Sequence, residues 1–518
     1  LLSLVHVLEW RAAVHPDAIA LSDDEGAQLT YGGLAAAMER SAAEFAAAGV
    51  LPGDVVPVIS RNRVGWVTAM LGLIRAGALP AAVNWRLAVP EVIALLRLAR
   101  PAAVVADAEC TALARQAVAA LEQPVPVLPL TGQADGAMPP ERPASRLQPA
   151  AAAILVHTSG TTGRPKLVPL THQQLITAVV FMKLEVPEAV PGARHLSALP
   201  LFHVAGLANL SYVLFTGGQL HLLGGFEATG FVDELVSRRI QLTQLVPTLI
   251  QAVTQEVSSR AERPDLSQLT EIVYGASPIR PDLLEQAVAV LGCRFRQNYA
   301  SSETGPLPIC SLPPEDHDPA RGRLSTAGRP SLGWEVRLGA REEIQVRGAA
   351  PLPGYWNDPA ATGEALTDDG FWRTGDAGAI DADGYLTIID RLKDIVITGG
   401  ENVFPAEVEA VLARHPAVAD VAVIGIPDDR WGETVHAVVV PAAAGAPGRG
   451  AANGDATESG ATEFDAAGLV SWAREQLAGF KCPTGVTVVA ELPRNATGKV
   501  LRAALRQPFW AARDRQVS

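Results

Sequence analysis

The spacing of apolar residues changes along the first part of the chain in a way that separates helices from strands. Tyr31 to Ala48 carries apolar and alanine positions at helical spacing, Asp54 to Ser60 is a short apolar run, Val64 to Ala78 is helical again, and Ala81 to Val83 reads as a strand. Such alternation predicts a mostly parallel sheet covered by helices. Farther on, Ala151 to Val156 and Leu167 to Leu170 read as strands on either side of a polar loop. A helix is expected from Thr171, with Gln174 placed for a capping box and Leu175, Val179 and Val180 on its apolar side. Glu271 to Val273 is strand-like and precedes a helix from about Arg280. Ile395 to Thr398 reads as a strand, Gly399 to Phe404 as a tight turn, and a helix is expected near Pro405 with Val408, Val411 and Leu412 buried. Proline and polar residues from Gln123 to Pro149 predict a loop-rich crossing, and the alanine- and glycine-rich Ala442 to Ala461 predicts a flexible surface loop.

Ser197 to Phe226 contains no Asp, Glu, Lys or Arg and is long enough to raise the question of a membrane. Pro200, His203 and five glycines break it into short pieces, which predicts buried strands and a pocket wall, not a spanning helix. The chain of 518 residues is long enough for roughly three domain-sized units. Its hydrophobic content of 48% and charged content of 19% describe an ordinary globular protein. A net charge of −13 argues against nucleic acid or an anionic membrane as the main partner, so an anionic ligand would have to be met by local positive sites. Cys110, Cys293, Cys310 and Cys482 are far apart, lack metal-ligand spacing, and fit a reducing compartment. With no recognisable secretory leader, this predicts a cytoplasmic protein.

The stretch with the clearest chemistry is Thr158-Ser159-Gly160-Thr161-Thr162-Gly163-Arg164-Pro165-Lys166. Two glycines allow the backbone to wrap an anion, the hydroxyls supply donors, and Arg164 and Lys166 supply charge, a combination suited to phosphate. It is not a Walker loop, because Lys166 follows Pro165 and leads into a strand instead of opening a helix. A plain Ser/Thr/Gly surface loop is the alternative.

Other segments are weaker when taken singly. His203, in Leu199-Pro200-Leu201-Phe202-His203, reads on its own more readily as a hydrogen-bonded core histidine than as a catalyst. Tyr274-Gly275-Ala276-Ser277-Pro278 is a small-residue turn that would let the backbone approach a flat ligand, or an ordinary strand-to-helix turn. Gln297-Asn298-Tyr299-Ala300-Ser301-Ser302-Glu303-Thr304-Gly305 offers an aromatic face, hydroxyls and a hard oxygen for Mg2+. Trp372-Arg373-Thr374-Gly375-Asp376 ends on a carboxylate able to accept from two hydroxyls. Asp390-Arg391-Leu392-Lys393-Asp394 packs alternating charges, and Pro493 to Val500 is a basic turn around Lys499.

In order, these segments resemble the motifs of the adenylate-forming superfamily, the acyl-CoA and aryl-CoA synthetases, luciferases and peptide-synthetase adenylation domains. Leu29-Thr30-Tyr31, Gly49 to Asp54, Ala76-Gly77-Ala78 and Asn84-Trp85-Arg86-Leu87 resemble its scaffold positions. The run through Tyr274 to Pro278, with Pro313 to Asp318, looks most like the fatty-acyl-CoA ligases. Two departures occur: Ala300 stands where the family has glycine, and Ser302 where it has threonine.

The resemblance implies an α/β fold in which a large N-terminal region of several subdomains, with mixed and parallel sheets flanked by helices, is followed by a small mobile α+β domain. Their expected extents are residues 1–391 and 392–518. It implies ATP, Mg2+ and CoA as cofactors. Thr158 to Gly163, Lys166, Gly275 to Ser277, Asn298 to Ser302, Asp376, Ile388 and Arg391 would bind the nucleotide, with Thr161 and Glu303 at the metal. His203, Val204, Gly206, Leu207, Thr248, Tyr274 and Gly275 would form the acyl pocket, which shows no cation and so favours a hydrophobic acid. Lys499, Glu303 and His203 would serve catalysis, Lys393 would be the hinge, and Gly399, Gly400 and Glu401 would line the path of CoA.

The activity so implied is activation of a carboxylic acid as acyl-AMP, followed by transfer to a thiol. An acyl carrier protein acting in trans as acceptor, a luciferase-like oxygenase and a regulator that binds nucleotide without turnover are the other readings.

Overall fold

The computed structural model describes residues 3–130, 148–158, 165–186, 190–277, 279–442, 464–495 and 498–511. Two compact units emerge. The first comprises Leu1–Arg337, Gln345–Thr374 and Asp381–Leu386, and the second Leu338–Ile344, Gly375–Ile380 and Thr387–Ser518. The chain passes between them along the strands Trp334–Leu338, Glu343–Gly348, Trp372–Ile380 and Leu386–Arg391. The large N-terminal and small C-terminal parts and the mixed α/β character agree with the fold implied by the motifs.

The first unit contains two large sheets. One runs in the order Val127–Pro129, Val104–Ala106, Val55–Ile59, Leu79–Val83, Ala152–Thr158, Lys166–Thr171. Its first five strands are parallel and the last is antiparallel. The periodicity is realised within a residue or two: helices occupy Tyr31–Ala47 and Val64–Ala76, and strands Val55–Ile59 and Leu79–Val83. Helix Val89–Ala99 packs Val92, Leu95, Leu96 and Ala99 onto this sheet with Ile59, Val83, Leu155 and Leu167.

The second sheet has nine strands, with a parallel centre of Arg294–Tyr299, Glu271–Gly275, Leu242–Leu245, Arg194–Ser197, Gln219–Leu222 and Ile19–Asp23. Its outer strands are antiparallel. Phe231, Ile250, Val253, Leu284 and Ala287 from the covering helices join Ile272, Tyr274 and Phe295 in one core.

Two expectations need correction. Ser197 to Phe226 is not a set of strands: it holds the helix Val204–Thr216, buried almost all round, between the strands Arg194–Ser197 and Gln219–Leu222. With apolar residues on every face, no periodicity distinguishes helix from strand there. Among the described residues no helix is long and apolar enough to cross a membrane. Val180 does not belong to the buried side of its helix, being 38% exposed, whereas Leu175 and Val179 are buried.

That helix, His172–Glu185, begins as its residues dictate. Thr171 Oγ1 accepts from the Gln174 backbone N–H at 3.1 Å, and the Gln174 side chain accepts from the Thr171 N–H at 2.9 Å. The box fixes the exit of the strand at the end of the phosphate loop.

The second unit is built on a long hairpin, Val418–Asp428 against Gly432–Pro441, joined by the strands Val396–Thr398, Glu401–Val403 and Gly485–Val488. Val408 and Leu412 of helix Pro405–Leu412, with Leu469 and Ala473 of helix Ala466–Gln476, pack with Val396, Val423 and Val435. Leu492, Val500 and Leu505 pack with Ala422, Ile424 and Val438. Residues 131–147 of the expected crossing and 443–461 of the expected surface loop lie outside the described residues.

Replacing Thr171 by alanine removes the cap and is expected to destabilise the protein by about 1 kcal/mol. A lower urea midpoint for Thr171→Ala, restored by Thr171→Ser, is the measurement that checks it.

Candidate active site

In the first unit several of the expected site residues stand at or near strand ends. Thr158 and Lys166 are opposite one another across the antiparallel pair that bounds the phosphate loop. Ser159, Gly160, Thr161, Thr162, Gly163 and Arg164 lie outside the described residues.

Gly275 ends the strand Glu271–Gly275 and pairs with Asn298 of the neighbouring strand. A Cβ on Gly275 would stand 2.2 Å from the Asn298 carbonyl oxygen, so only glycine allows this approach. Ala276 comes next with φ +71°, a left-handed conformation that is costly for a residue with a Cβ. Ala300, at the family's glycine position, has no positive φ, so its methyl group imposes no backbone strain there. Ala276 is exposed and Ser277 half-buried, while Pro278 lies outside the described residues.

Tyr274 is one of the residues expected at the acyl pocket. It is 2% exposed, packs in the core edge-on to Phe295, and bonds His317 Nε2 at 3.0 Å. Strand alternation turns it into the core and leaves its backbone to the turn.

Tyr299 is 9% exposed, and its carbonyl accepts from the Ile309 N–H at 2.7 Å. Beyond it, Ser301 and Thr304 close the turn through reciprocal bonds: the Ser301 N–H donates to Thr304 Oγ1 at 3.1 Å, and the Thr304 N–H to Ser301 Oγ at 3.3 Å. Ser302 and Glu303 stand on the turn between them, half-buried. Glu303 Oε1 accepts a hydrogen bond from the Tyr355 hydroxyl at 3.1 Å, and the Lys166 ammonium sits 4.1 Å from the centroid of that same ring. Sequence reasoning missed Tyr355, which stands 52 residues from Glu303.

The segment expected to form the acyl pocket comes next. His203 is the N-cap of the helix Val204–Thr216, on which Val204, Gly206 and Leu207 are buried. A Cβ on Gly206 would meet the Pro200 carbonyl oxygen at 2.3 Å, so this glycine sets how closely the helix approaches the preceding turn. That turn is pinned by Asn62, whose amide donates to the Leu199 carbonyl at 2.8 Å and whose oxygen accepts from the Leu201 N–H at 2.8 Å. His157 stacks on Phe202 at 6.3 Å and accepts the Asn84 N–H on Nε2 at 3.2 Å. Burial holds both histidines down to about 4, and in His157 the neighbouring His203 pushes the same way, so both are uncharged at neutral pH. Thr248 is half-buried at the start of helix Pro247–Ser259. Asn62 and His157 carry no motif-like signal in the sequence.

The second unit collects the remaining residues. Arg391 Nε is 3.3 Å from Asp376 Oδ1, and the Leu392 N–H donates to the Gly375 carbonyl at 2.9 Å. Ile388 is half-buried in the strand Leu386–Arg391. Asp390 accepts from the Ala406 N–H at 2.8 Å, capping the helix Pro405–Leu412, and burial raises its carboxyl to about 6.

Lys499 closes a turn: its N–H donates to Asn495 Oδ1 at 2.9 Å and its carbonyl accepts from the Asn495 N–H at 2.8 Å. Burial is the main cause that lowers the Lys499 ammonium to about 7; Arg391 acts in the same direction, whereas Asp376 and Asp394 oppose the shift. Lys393 is lowered as well, by burial first and then by Arg391. Gly399 and Gly400 form an exposed hairpin turn with φ +59° and +88°, and Glu401 beside them is exposed. A Cβ on Gly399 would be 2.7 Å from the Trp431 ring, itself under the Arg430 guanidinium at 4.4 Å.

A family profile described as "AMP-binding enzyme" matches residues 8–356, and one described as "AMP-binding enzyme C-terminal domain" matches residues 407–499. The chain belongs to the AMP-binding enzyme family. Among curated relatives, the fatty acid–[acyl-carrier-protein] ligase ScoC of Streptomyces coeruleorubidus is 34% identical over 509 residues, covering 95% of this chain and 94% of that protein. A feruloyl-CoA synthase of an Amycolatopsis species is 34% identical over 512 residues, covering 96% and 97%. Of solved structures, the o-succinylbenzoate coenzyme A synthetase MenE of Bacillus subtilis, in complex with ATP and magnesium ion, superposes with a TM-score of 0.82 at 28% identity, covering 96% of this chain and 98% of that one. The resemblance read from the motifs is borne out: the chain is an AMP-forming acid–thiol ligase of the acyl-CoA synthetase group.

The chain has only five lysines, Lys166, Lys183, Lys393, Lys481 and Lys499, so their side-chain resonances can be assigned by substitution. In an NMR titration of ε-labelled lysine, Lys499 is expected to titrate near 7. Arg391→Gln removes a lowering charge and should move the midpoint up, whereas Asp376→Asn removes a raising charge and should move it down.

Proposed function

We propose that this protein joins a hydrophobic carboxylic acid to the thiol of coenzyme A through an acyl-adenylate made from ATP. The observation that carries the proposal is a lysine on a turn, Lys499, held half-buried beside the Asp376–Arg391 pair.

A carboxylate resists attack by a thiol because oxide would have to leave. In the first half-reaction a carboxylate oxygen attacks the α-phosphorus of ATP, a P–O bond forms, and the bond to pyrophosphate breaks. Asp376 accepts from the ribose hydroxyls and Arg391 donates to the ribose. Gly275, Ala276 and Ser277 lie along the adenine together with Asn298 and Tyr299. Ser302, with Thr158 and Lys166 at the two ends of the phosphate loop, faces the phosphates. The Lys499 ammonium balances the charge developing as carboxylate and phosphate meet. A bound nucleotide favours the charged form of this lysine, so the ammonium that burial disfavours is restored by the substrate itself.

Glu303 fits a magnesium ion: it is a hard carboxylate on a well-braced turn, and one or two carboxylates with substrate phosphates are the usual donor set. Bound there, the ion would neutralise phosphate charge. Thr161 would be its second protein ligand.

In the second half-reaction the thiol sulfur attacks the acyl carbon, its proton passes to solvent, and AMP leaves with the bonding electrons. We assign residues 392–518 to this exchange of roles, turning about Lys393 so that Lys499 serves adenylation and Gly399, Gly400 and Glu401 serve the thiol. The exposed Gly-Gly turn leaves room for a slender pantetheine arm.

Two uncharged histidines and the buried Val204, Gly206 and Leu207 support an apolar acid, aliphatic or aromatic, with Thr248 near the acyl group. Reduced cysteines and the use of ATP and CoA support a cytoplasmic location. The similarity to ScoC supports a second reading, in which a carrier protein supplies the thiol.

Lys499→Ala should slow acid-dependent ATP–pyrophosphate exchange by about 100-fold or more, consistent with losing a transition-state charge partner. The same variant should still consume a supplied acyl-adenylate with CoA at near the wild-type rate. Equal loss in both assays would overturn the division of labour, and exchange with no acid of a broad panel would overturn the activity.

A further inference from the structure

The motif order leaves Tyr355 without a role, yet several contacts hold it in place. Its N–H donates to Thr362 Oγ1 at 2.9 Å, and the next N–H, of Trp356, donates to the Leu167 carbonyl at 2.8 Å, tying the turn to the strand that leaves the phosphate loop. Gly354 precedes it with φ +81°, and a Cβ there would stand 2.2 Å from Thr362 Cγ2, so the missing side chain lets the Thr362 side chain pack close to this turn. The Tyr355 ring is tilted against Trp372 at 5.5 Å. From this braced position it makes two polar contacts of opposite sense. The hydroxyl donates to Glu303 Oε1 at 3.1 Å, and the ring lies 4.1 Å below the Lys166 ammonium.

We infer that Tyr355 is a positioning residue that holds Glu303 and Lys166 apart and aimed, the carboxylate for a divalent cation and the ammonium for phosphate. A lysine and a glutamate this near one another would be drawn into a direct ion pair, consuming the two charges that metal and nucleotide need. The tyrosine interposes a neutral donor on one side and a π face on the other. Glu303 keeps one oxygen fixed by the phenol and offers the other to the cation. Outer partners of this kind orient a metal-binding carboxylate without touching the metal. This inference rests on the reading of Glu303 as the magnesium ligand, and the test separates the two.

The probe is Mn2+ in place of Mg2+, with its binding to the full chain followed by electron paramagnetic resonance in the presence of a non-hydrolysable ATP analogue. Tyr355→Phe keeps the ring and loses the hydroxyl, and is expected to weaken Mn2+ binding about 10-fold. It should leave binding of the analogue in metal-free buffer unchanged. Tyr355→Leu loses ring and hydroxyl, and should weaken both. Added to Glu303→Gln, Tyr355→Phe should bring no further loss, because the hydroxyl acts through that carboxylate. The Mg2+ concentration for half-maximal pyrophosphate exchange should rise in step with the Mn2+ constant. Wild-type Mn2+ binding in Tyr355→Phe together with weakened binding in Glu303→Gln would overturn the positioning role while leaving the Glu303 assignment intact. Wild-type Mn2+ binding in Glu303→Gln would overturn that assignment and the inference with it.

Discussion

A charge taken out of water costs several kcal/mol unless a counter-charge or hydrogen bonds come with it, and the second unit is arranged around that cost. Lys499 is half-buried, and its ammonium is sustained by Asp376 and Asp394 against burial and Arg391. Asp394 is in turn held by Arg506 at 2.9 Å and faces Arg502 at 3.8 Å, while Arg502 binds Glu409 at 2.7 Å. The helix Arg502–Trp510 is therefore anchored to the Asp390–Asp394 segment by charges that cannot be left unpaired. Because Lys499 stands just before that helix, its position is set by the same ion pairs. The lysine is thus held close to the balance between its charged and neutral forms, so the charge of a ligand can decide which form prevails.

Around His157 and His203 the first unit meets the same cost by the opposite route, keeping both imidazoles uncharged. His157 and His203 are neutral because nothing nearby repays the desolvation of an imidazolium. Around them, close approach is achieved by omission of side chains: Gly206 against the Pro200 carbonyl, and Gly275 against Asn298. These contacts are backbone to backbone and cannot relax by a rotamer change, which makes the geometry of helix start and strand end insensitive to the residues around them. Elsewhere on this unit Glu303 and Lys166 carry charge with Tyr355 in contact with both.

Much of the fold was legible because it rests on short-range pattern. The early helices and strands show clean periods, and the Thr171–Gln174 box is written in two residues three apart. Family membership was legible for a different reason: a fixed order of short motifs survives where any one of them would carry little weight. The failures are also physical. Val204–Thr216 is apolar on all faces, so its period was invisible, and Val180 lies at the margin of the buried stripe, where spacing alone does not separate half-buried from exposed. The burial of the Tyr274 ring follows from strand alternation and is not announced by its motif. Asn62, His157 and Tyr355 were silent because each acts on a partner far away in sequence, and a single polar residue in a turn has no spacing to announce it.

The choice of thiol depends on where the two acceptors differ. CoA and a carrier protein present the same pantetheine arm and differ only beyond its phosphate end, one in a nucleotide and the other in a protein surface. If the proposed role of Gly399–Gly400 holds, a narrow turn packed beside Trp431 would discriminate the arm from bulkier thiols but be blind to the group at the arm's far end. Relatives with each kind of acceptor in their names stand at the same 34% identity, as expected if the shared chemistry is built into the common core and the choice is made by groups outside it. Selection between acceptors therefore falls to surface residues near that far end. The acceptor preference is therefore separable from the adenylation half-reaction.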